Sequence, residues 1–352
     1  LGTGLLGMPW AIARCGYGLG LLLLGLSALS SVATLSMLAV LQADHPGASF
    51  NTLLARSGLP KQLQQLPDLT VFLMLVGAQT SFLIVIGDAL DTVATFIGMA
   101  LPRRLCVVVV ALLLGPLCLQ RELHALRFTS VLSILAYAAV SACVVARALL
   151  WSWQDPTAFG AEPESQMVGA TGEALLLVAV GQAAPVFVFA FTCHMQLPVV
   201  ALELRQRSVA RLIGTAAGAT ALATVLYAAV GVSGYTVFGP GVRSDVLLEF
   251  RGAADGALAS LALAVALGTS LPLRHHSARE SAARLLHLAP AGSLDRHSFC
   301  GLSAATMAPS ILLALAVEDL GTVLGLVGGT GCAVVSLVLP GLLHLLLLLL
   351  LF

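Results

Sequence analysis

Apolar runs of about twenty residues, separated by short polar breaks, recur along this sequence. That pattern constrains the fold more than any motif does, because about 20 apolar residues are what a helix needs to cross the hydrocarbon core of a bilayer. Of 352 residues, 59% are hydrophobic and 10% charged, and the mean hydropathy is +0.99. A soluble domain carries about 25% charged residues, so this chain has too few to cover a soluble enzyme of its length. Seventeen basic and seventeen acidic residues cancel, which removes the basic footprint of a nucleic-acid binder. The seven cysteines show no CxxC spacing, so neither a disulfide framework nor a metal site is expected. There is no Walker A loop, GxSxG elbow or HExxH pair, hence no sign of ATP hydrolysis or membrane proteolysis and no cofactor. The sequence predicts an all-α polytopic membrane protein.

Ten spans follow from the apolar runs. Span 1 is partial, from Leu1 to about Ala13, and breaks at Cys15-Gly16-Tyr17-Gly18. Span 2 runs from about Leu21 to Leu41, and the mixed segment 48–66, with Arg56 and Lys61, reads as a loop with a short amphipathic turn. Spans 3, 4 and 5 cover about 69–96, 105–119 and 128–151, followed by a long acidic loop from Trp153 to Gly172 carrying Asp155, Glu162 and Glu164. Spans 6 to 10 cover about 174–202, 211–236, 255–273, 299–317 and 322–352. With the start of the chain in the cytosol, the cytosolic loops hold eleven Lys and Arg and the opposite side six. That is the positive-inside bias. The chain opens on Leu1 within a helix, so a missing first segment is expected, and no signal peptide is visible.

Two segments interrupt otherwise apolar spans. Leu1 to Trp10 holds three glycines and a proline, and Phe191-Thr192-Cys193-His194-Met195-Gln196-Leu197-Pro198 is a polar cluster inside span 6. Lipid cannot satisfy free backbone amides, so irregular backbone at membrane depth lines a protein cavity. Interrupted spans in matching places of two halves point to an inverted-repeat transporter; close glycine packing is the alternative. A half-helix N-terminus offers N–H groups to a carboxylate, and unwound carbonyls accept from an ammonium or a cation. A zwitterionic amino acid needs both.

At these residues the chain resembles the amino acid/auxin permease family, in the branch of neutral amino acid transporters, sodium-coupled or vacuolar. The matching segments include LGTGLLGMPWAIARCGY at 1–17, IGDALD at 86–91, RELHALRFTSVLSILAY at 121–137 and FAFTCHMQLPVVALELRQRS at 189–208. YTVFGPGVRSDVLLEF at 235–250, TSLPLRHHSARESAARLL at 269–286 and LGLVGGTGCAVVSLVLPGL at 324–342 continue them in order. The stretches around FTCH and PLRHHSAR look more like the vacuolar or lysosomal members. The resemblance implies a LeuT-type 5+5 inverted repeat within one transporter domain, its halves at about 1–152 and 173–352, with helices 1 and 6 discontinuous. It also implies eleven helices, of which about ten are expected here, the first half-helix and the eleventh being absent. Sodium-coupled members often carry an asparagine ligand in that absent half-helix. The substrate contacts it carries over are Gly2, Thr3, Gly4 and Leu5 in span 1, and Phe191, Thr192, Cys193 and His194 in span 6.

Other residues invite a role in coupling. In similar proteins a span 8 hydroxyl helps hold sodium, which points to Thr269 and Ser270; the alternative is hydroxyls bonded back to i−4 carbonyls beside Pro272. Asp88 and Asp91 share a face of span 3. An ionisable residue within a span is a functional hypothesis by default, so Asp88 is a candidate proton relay or a partner of a neighbouring helix, and Asp91 is nearer water. His194 titrates near neutrality and is either a proton-coupling group or a packing residue. Arg274, His275, His276 and Arg279 read as a solvated loop closing span 8, and Glu203, Arg205, Arg207 and Arg211 as an interfacial charge cluster. The expected activity is secondary transport of a small neutral amino acid, coupled to protons or sodium, by a monomer in a vacuolar, lysosomal or plasma membrane. The rival readings are a non-transporting amino acid sensor on the same scaffold and, less consistent with so few intramembrane charges, an ion channel.

Overall fold

The computed structural model describes residues 2–44, 47–55, 65–121, 129–154, 173–206 and 208–351. Among these residues every regular element is helical, and eight helices are long and apolar enough to cross a membrane. Two differences from the expected ten spans have simple causes. Spans 1 and 2 run together as α1, Met8–Asp44, across a kink at Gly16 with φ 74° and ψ 171°. This lies inside the expected break, in a backbone region glycine adopts freely and other residues do not. Span 4 is α4, Arg103–Cys118, a helix of 16 residues. At 1.5 Å per residue it is about 24 Å long, short of a hydrocarbon core of roughly 30 Å.

The remaining elements follow the apolar runs. Helix α2, Phe50–Ala55, is the turn expected within 48–66, while Arg56 and Lys61 lie outside the described residues. Helices α3, Leu66–Phe96, and α5, Thr129–Gln154, flank α4 in sequence. The acidic loop residues Asp155, Glu162 and Glu164 lie outside the described residues, as do Arg127 and Arg207. Span 6 is divided into α6, Glu173–Phe191, and α7, Leu197–Glu203. Then come α8, Val209–Phe238; α9, Ala254–Leu285; and α10, Arg296–Ala316. Span 10 is built from α11, Leu320–Val327, two π-helical turns at Gly328–Cys332 and Val334–Val338, and α12, Leu339–Leu351.

The helices pack as two blocks. The most extensive contact joins α3 to α9, and the next joins α1 to α8, with α6 also on α1. Glycines let span 10 approach both blocks. A Cβ at Gly328 would lie 1.9 Å from the Pro185 carbonyl oxygen in α6, and one at Gly331 would lie 3.1 Å from the Met74 Cα in α3. Leucines on the outer faces, such as Leu112, Leu113 and Leu222, are exposed, as lipid-facing positions should be.

Span 8 requires a correction. Arg274, His275, His276 and Arg279 are not a solvated loop: α9 continues through Pro272 to Leu285, and His275 and Arg279 are 0% and 1% exposed. Burial of Arg279 is tolerated because its Nη groups find acceptors, its Nε alone lacking one among the described residues. It donates to the Cys118 carbonyl and Ser303 Oγ, each at 3.0 Å, and its guanidinium lies 4.1 Å from the centre of the Phe299 ring. His275 Nδ1 lies 3.1 Å from Gln79 Oε1 of α3. Arg279 therefore ties α9 to the end of α4 and to α10. Arg279→Met should lower the stability of the detergent-solubilised protein by about 3 kcal/mol, because it strands buried acceptors. Arg104→Ala, at a side chain 73% exposed, should leave the apparent Tm unchanged. Equal melting of both variants in fluorescence-detected size-exclusion chromatography would refute the clamp.

Candidate functional site: a cavity between two helix breaks

The first break begins with Gly2 in extended backbone, followed by a 3-10 turn, Thr3–Leu5, and by α1 from Met8. Pro9 falls in the first turn of α1, where its missing N–H costs nothing. The second break leaves Thr192 and Cys193 outside any helix, followed by a 3-10 turn, His194–Gln196, and then α7, with Pro198 again in a first turn.

Protein groups cover the freed backbone at both places. Tyr227 Oη donates to the Ala190 carbonyl at 3.0 Å, Ser31 Oγ to the Phe191 carbonyl at 3.2 Å, and the Val246 amide to the Leu6 carbonyl at 3.4 Å. The two breaks also touch: a Cβ at Gly4 would lie 2.9 Å from the Cα of Ala190, so only glycine permits this approach.

Between the breaks and the α3–α9 wall lies a cavity of about 200 Å³. Gly2, Gly4, Thr192 and Cys193 line it, together with Met74, Leu75 and Ala78 of α3 and Leu273, Arg274 and Ser277 of α9. The other residues carried over by resemblance lie behind this lining. Thr3 is fully buried, with its Oγ1 2.9 Å from Ser81 Oγ in α3, a hydrogen bond from the first break to the opposite block. Leu5 and Phe191 are buried in the apolar core. His194 is fully buried, its Nε2 2.8 Å from Thr34 Oγ1 in α1, and its Nδ1 lacks a partner among the described residues.

The residues considered for coupling lie elsewhere. Thr269 Oγ1 donates to the carbonyls of Val265 and Ala266, both at 3.0 Å. Ser270 Oγ donates to the Ala266 carbonyl at 2.8 Å and lies 3.2 Å from Ser133 Oγ. Neither lines the cavity. Asp88 lies about 15 Å along α3 from Ala78, where it accepts from Arg103 Nε at 2.7 Å. Asp91 is buried and pairs with Arg251 rather than reaching water.

Sequence reasoning missed Arg274 as a cavity residue, because it ended the span at 273 whereas α9 continues to Leu285. The available signal was a charged residue two positions after Pro272 in an apolar run, which is a functional hypothesis wherever the helix continues.

The Asp88 end of α3 is closed by further carboxylates. Ser244 Oγ donates to Asp319 at 2.5 Å. Burial alone would raise the Asp319 pKa, but hydrogen bonds from Ser244 and Thr322 outweigh it and hold this carboxyl below its ordinary value. Asp245, next to Ser244 in the α8–α9 loop, is 2% exposed and accepts from the Leu247 amide at 2.9 Å. Burial, reinforced by the Asp88 carboxylate, pushes the Asp245 pKa up to about 8.

A family model described as "Transmembrane amino acid transporter protein" matches residues 1–350. The chain belongs to this family. The family and the relatives below are transporters rather than enzymes, and with its eight apolar helices this member is a multi-pass integral membrane protein. It is 29% identical to vacuolar amino acid transporter 5 of Schizosaccharomyces pombe, over 98% of this chain and 81% of the relative. It is 24% identical to vacuolar amino acid transporter 6 of Saccharomyces cerevisiae, over 97% and 86%. It is 27% identical to human sodium-coupled neutral amino acid transporter 7, over 97% and 75%.

In this transporter-family member, Asp245 makes stability depend on pH with a definite sign. The folded state holds a proton that an unfolded aspartate releases near pH 4. The associated stability is complete below that pH and is lost as pH rises through about 8. Asp245→Asn keeps an acceptor for Leu247 but cannot ionise. Between pH 5 and 8 the apparent Tm should fall more steeply for the wild type than for Asp245→Asn, and parallel curves would exclude a buried titrating carboxyl.

Proposed function

We propose that this protein carries small neutral amino acids across its membrane by alternating access, as a secondary transporter driven by a proton or sodium gradient. The observation that carries the reading is the cavity where two broken helices meet the α3–α9 wall. Such a place supplies backbone donors and acceptors for a zwitterion within a few ångströms. The relatives, vacuolar amino acid transporters and a sodium-coupled neutral amino acid transporter, agree with that chemistry. No covalent step is involved.

The motion we infer is rocking between two blocks of a LeuT-type inverted repeat, with halves at 1–152 and 173–352. Spans 1, 2, 6 and 7, here α1, α6, α7 and α8, form the moving bundle; α3 and α9 belong to the other. The close packing of α1 with α8 and α6, and of α3 with α9, supports that division. The Thr3–Ser81 hydrogen bond bridges the two blocks and would have to break as they part. The membrane is vacuolar, lysosomal or plasma, and the working unit a monomer.

Proteoliposomes holding the full-length protein test this directly. Proton and sodium gradients are imposed separately, and uptake is followed across all common amino acids. Gradient-dependent uptake of small neutral substrates is expected, and its absence for every amino acid under both gradients would refute the reading. Gly4→Val places side-chain carbon against the Ala190 backbone. It should abolish uptake while leaving protein in the membrane, as judged by uptake normalised to reconstituted protein.

A further inference from the structure

We infer that Arg274 is the carboxylate anchor of the cavity, holding the substrate's acid group through its planar guanidinium. The inference deepens the proposed reading of this cavity and rests on it.

Arg274 lies within a membrane-crossing helix and lines the cavity. Its guanidinium carbon lies 4.5 Å from the centre of the buried Phe82 ring. The end of the side chain reaches the first helix break, with Nη2 3.7 Å from where a Gly2 Cβ would be. Other arginines at the ends of α3 are paired: Arg103 with Asp88, Arg251 with Asp91 and Arg284 with Asp68. Arg274 has no carboxylate within ion-pair distance among the described residues. Arg279, further along α9, directs its Nη groups to the carbonyls of Cys118 and Gln120 and to Ser303, although its Nε has no partner among the described residues. Tyr227, which faces the same region, already donates its hydroxyl to the Ala190 carbonyl.

A guanidinium carries five donors in a fork that matches a carboxylate in two-point geometry, and it stays charged. An unpaired charge at membrane depth is costly, so a cation without a protein partner is suited to one that arrives with the ligand. The cavity size fits a small molecule, and the carboxylate is the group common to all amino acids. A lysine would offer only a point charge on a mobile stem. Arg274 thus selects acids over the corresponding amides, while the side chain of the substrate meets Met74, Leu75 and Ala78.

The test uses the full-length protein in proteoliposomes and the neutral amino acid it takes up best. Charge-assisted hydrogen bonds of this kind correspond to about a ten- to hundredfold change in affinity. Arg274→Gln should therefore raise KM about ten- to a hundredfold, with a smaller effect on Vmax, and Arg274→Lys should fall between. Wild type should be inhibited by the amino acid but not by its carboxamide, and Arg274→Gln should lose most of that discrimination. An unchanged KM, or full discrimination in Arg274→Gln, would overturn the inference.

A second measurement needs no variant to fold. Phenylglyoxal labelling of Arg274 in the wild-type protein, read by peptide mass spectrometry, should slow when the amino acid is bound. A labelling rate insensitive to saturating amino acid would also overturn it. Failure of the parent reading is separate: wild type would then show no amino acid uptake at all.

Discussion

A bilayer offers no hydrogen bonds, and the architecture around the cavity follows from that fact. Each place where a helix stops at membrane depth must be roofed by other protein groups. The carbonyls of Leu6, Ala190 and Phe191 accept from an amide, a tyrosine and a serine drawn from three other elements. Those donors fix where α1, α8 and the Ser244–Phe250 segment must lie, and so the two breaks face one another. Glycine at position 4 then lets the breaks close to van der Waals contact with Ala190. The cavity is the remaining space that no side chain of the chain fills.

Polar groups within the helices obey the same rule with different solutions. Thr269, Ser270, Thr80 and Thr92 turn their hydroxyls onto carbonyls of their own helix. Asp88 and Asp91 take arginines that enter from the ends of neighbouring elements. Arg279 is satisfied mainly by carbonyls at the end of α4 and a serine on α10. Arg274 is the exception among these, and the exception faces open space.

The sequence made the helices legible because hydropathy is a local property: most expected spans match an observed helix within a few residues. The breaks at Gly16, at Thr3–Leu5 and at Thr192–Cys193 were readable because glycine, proline and polar residues cluster there within apolar runs. Side-chain destinations were not readable. Whether Thr3 faces a ligand or Ser81, or whether Asp91 reaches water or Arg251, depends on partners 78 and 160 residues away. The misreading of 274–279 has a definite origin. Proline followed by Leu-Arg-His-His is a good helix end by local rules, and only Gln79, Cys118 and Ser303, contributed by other helices, make burial of His275 and Arg279 affordable.

Span 10 touches both blocks, through side chains such as Val327 against Gly77 of α3 and through two of its own glycines. Gly328 lies against the backbone of α6 and Gly331 against that of α3, in a helix loosened here into π-helical turns. If the two blocks rock as proposed, this span lies on the seam between them, and a methyl group added at Gly328 would collide with the α6 backbone there.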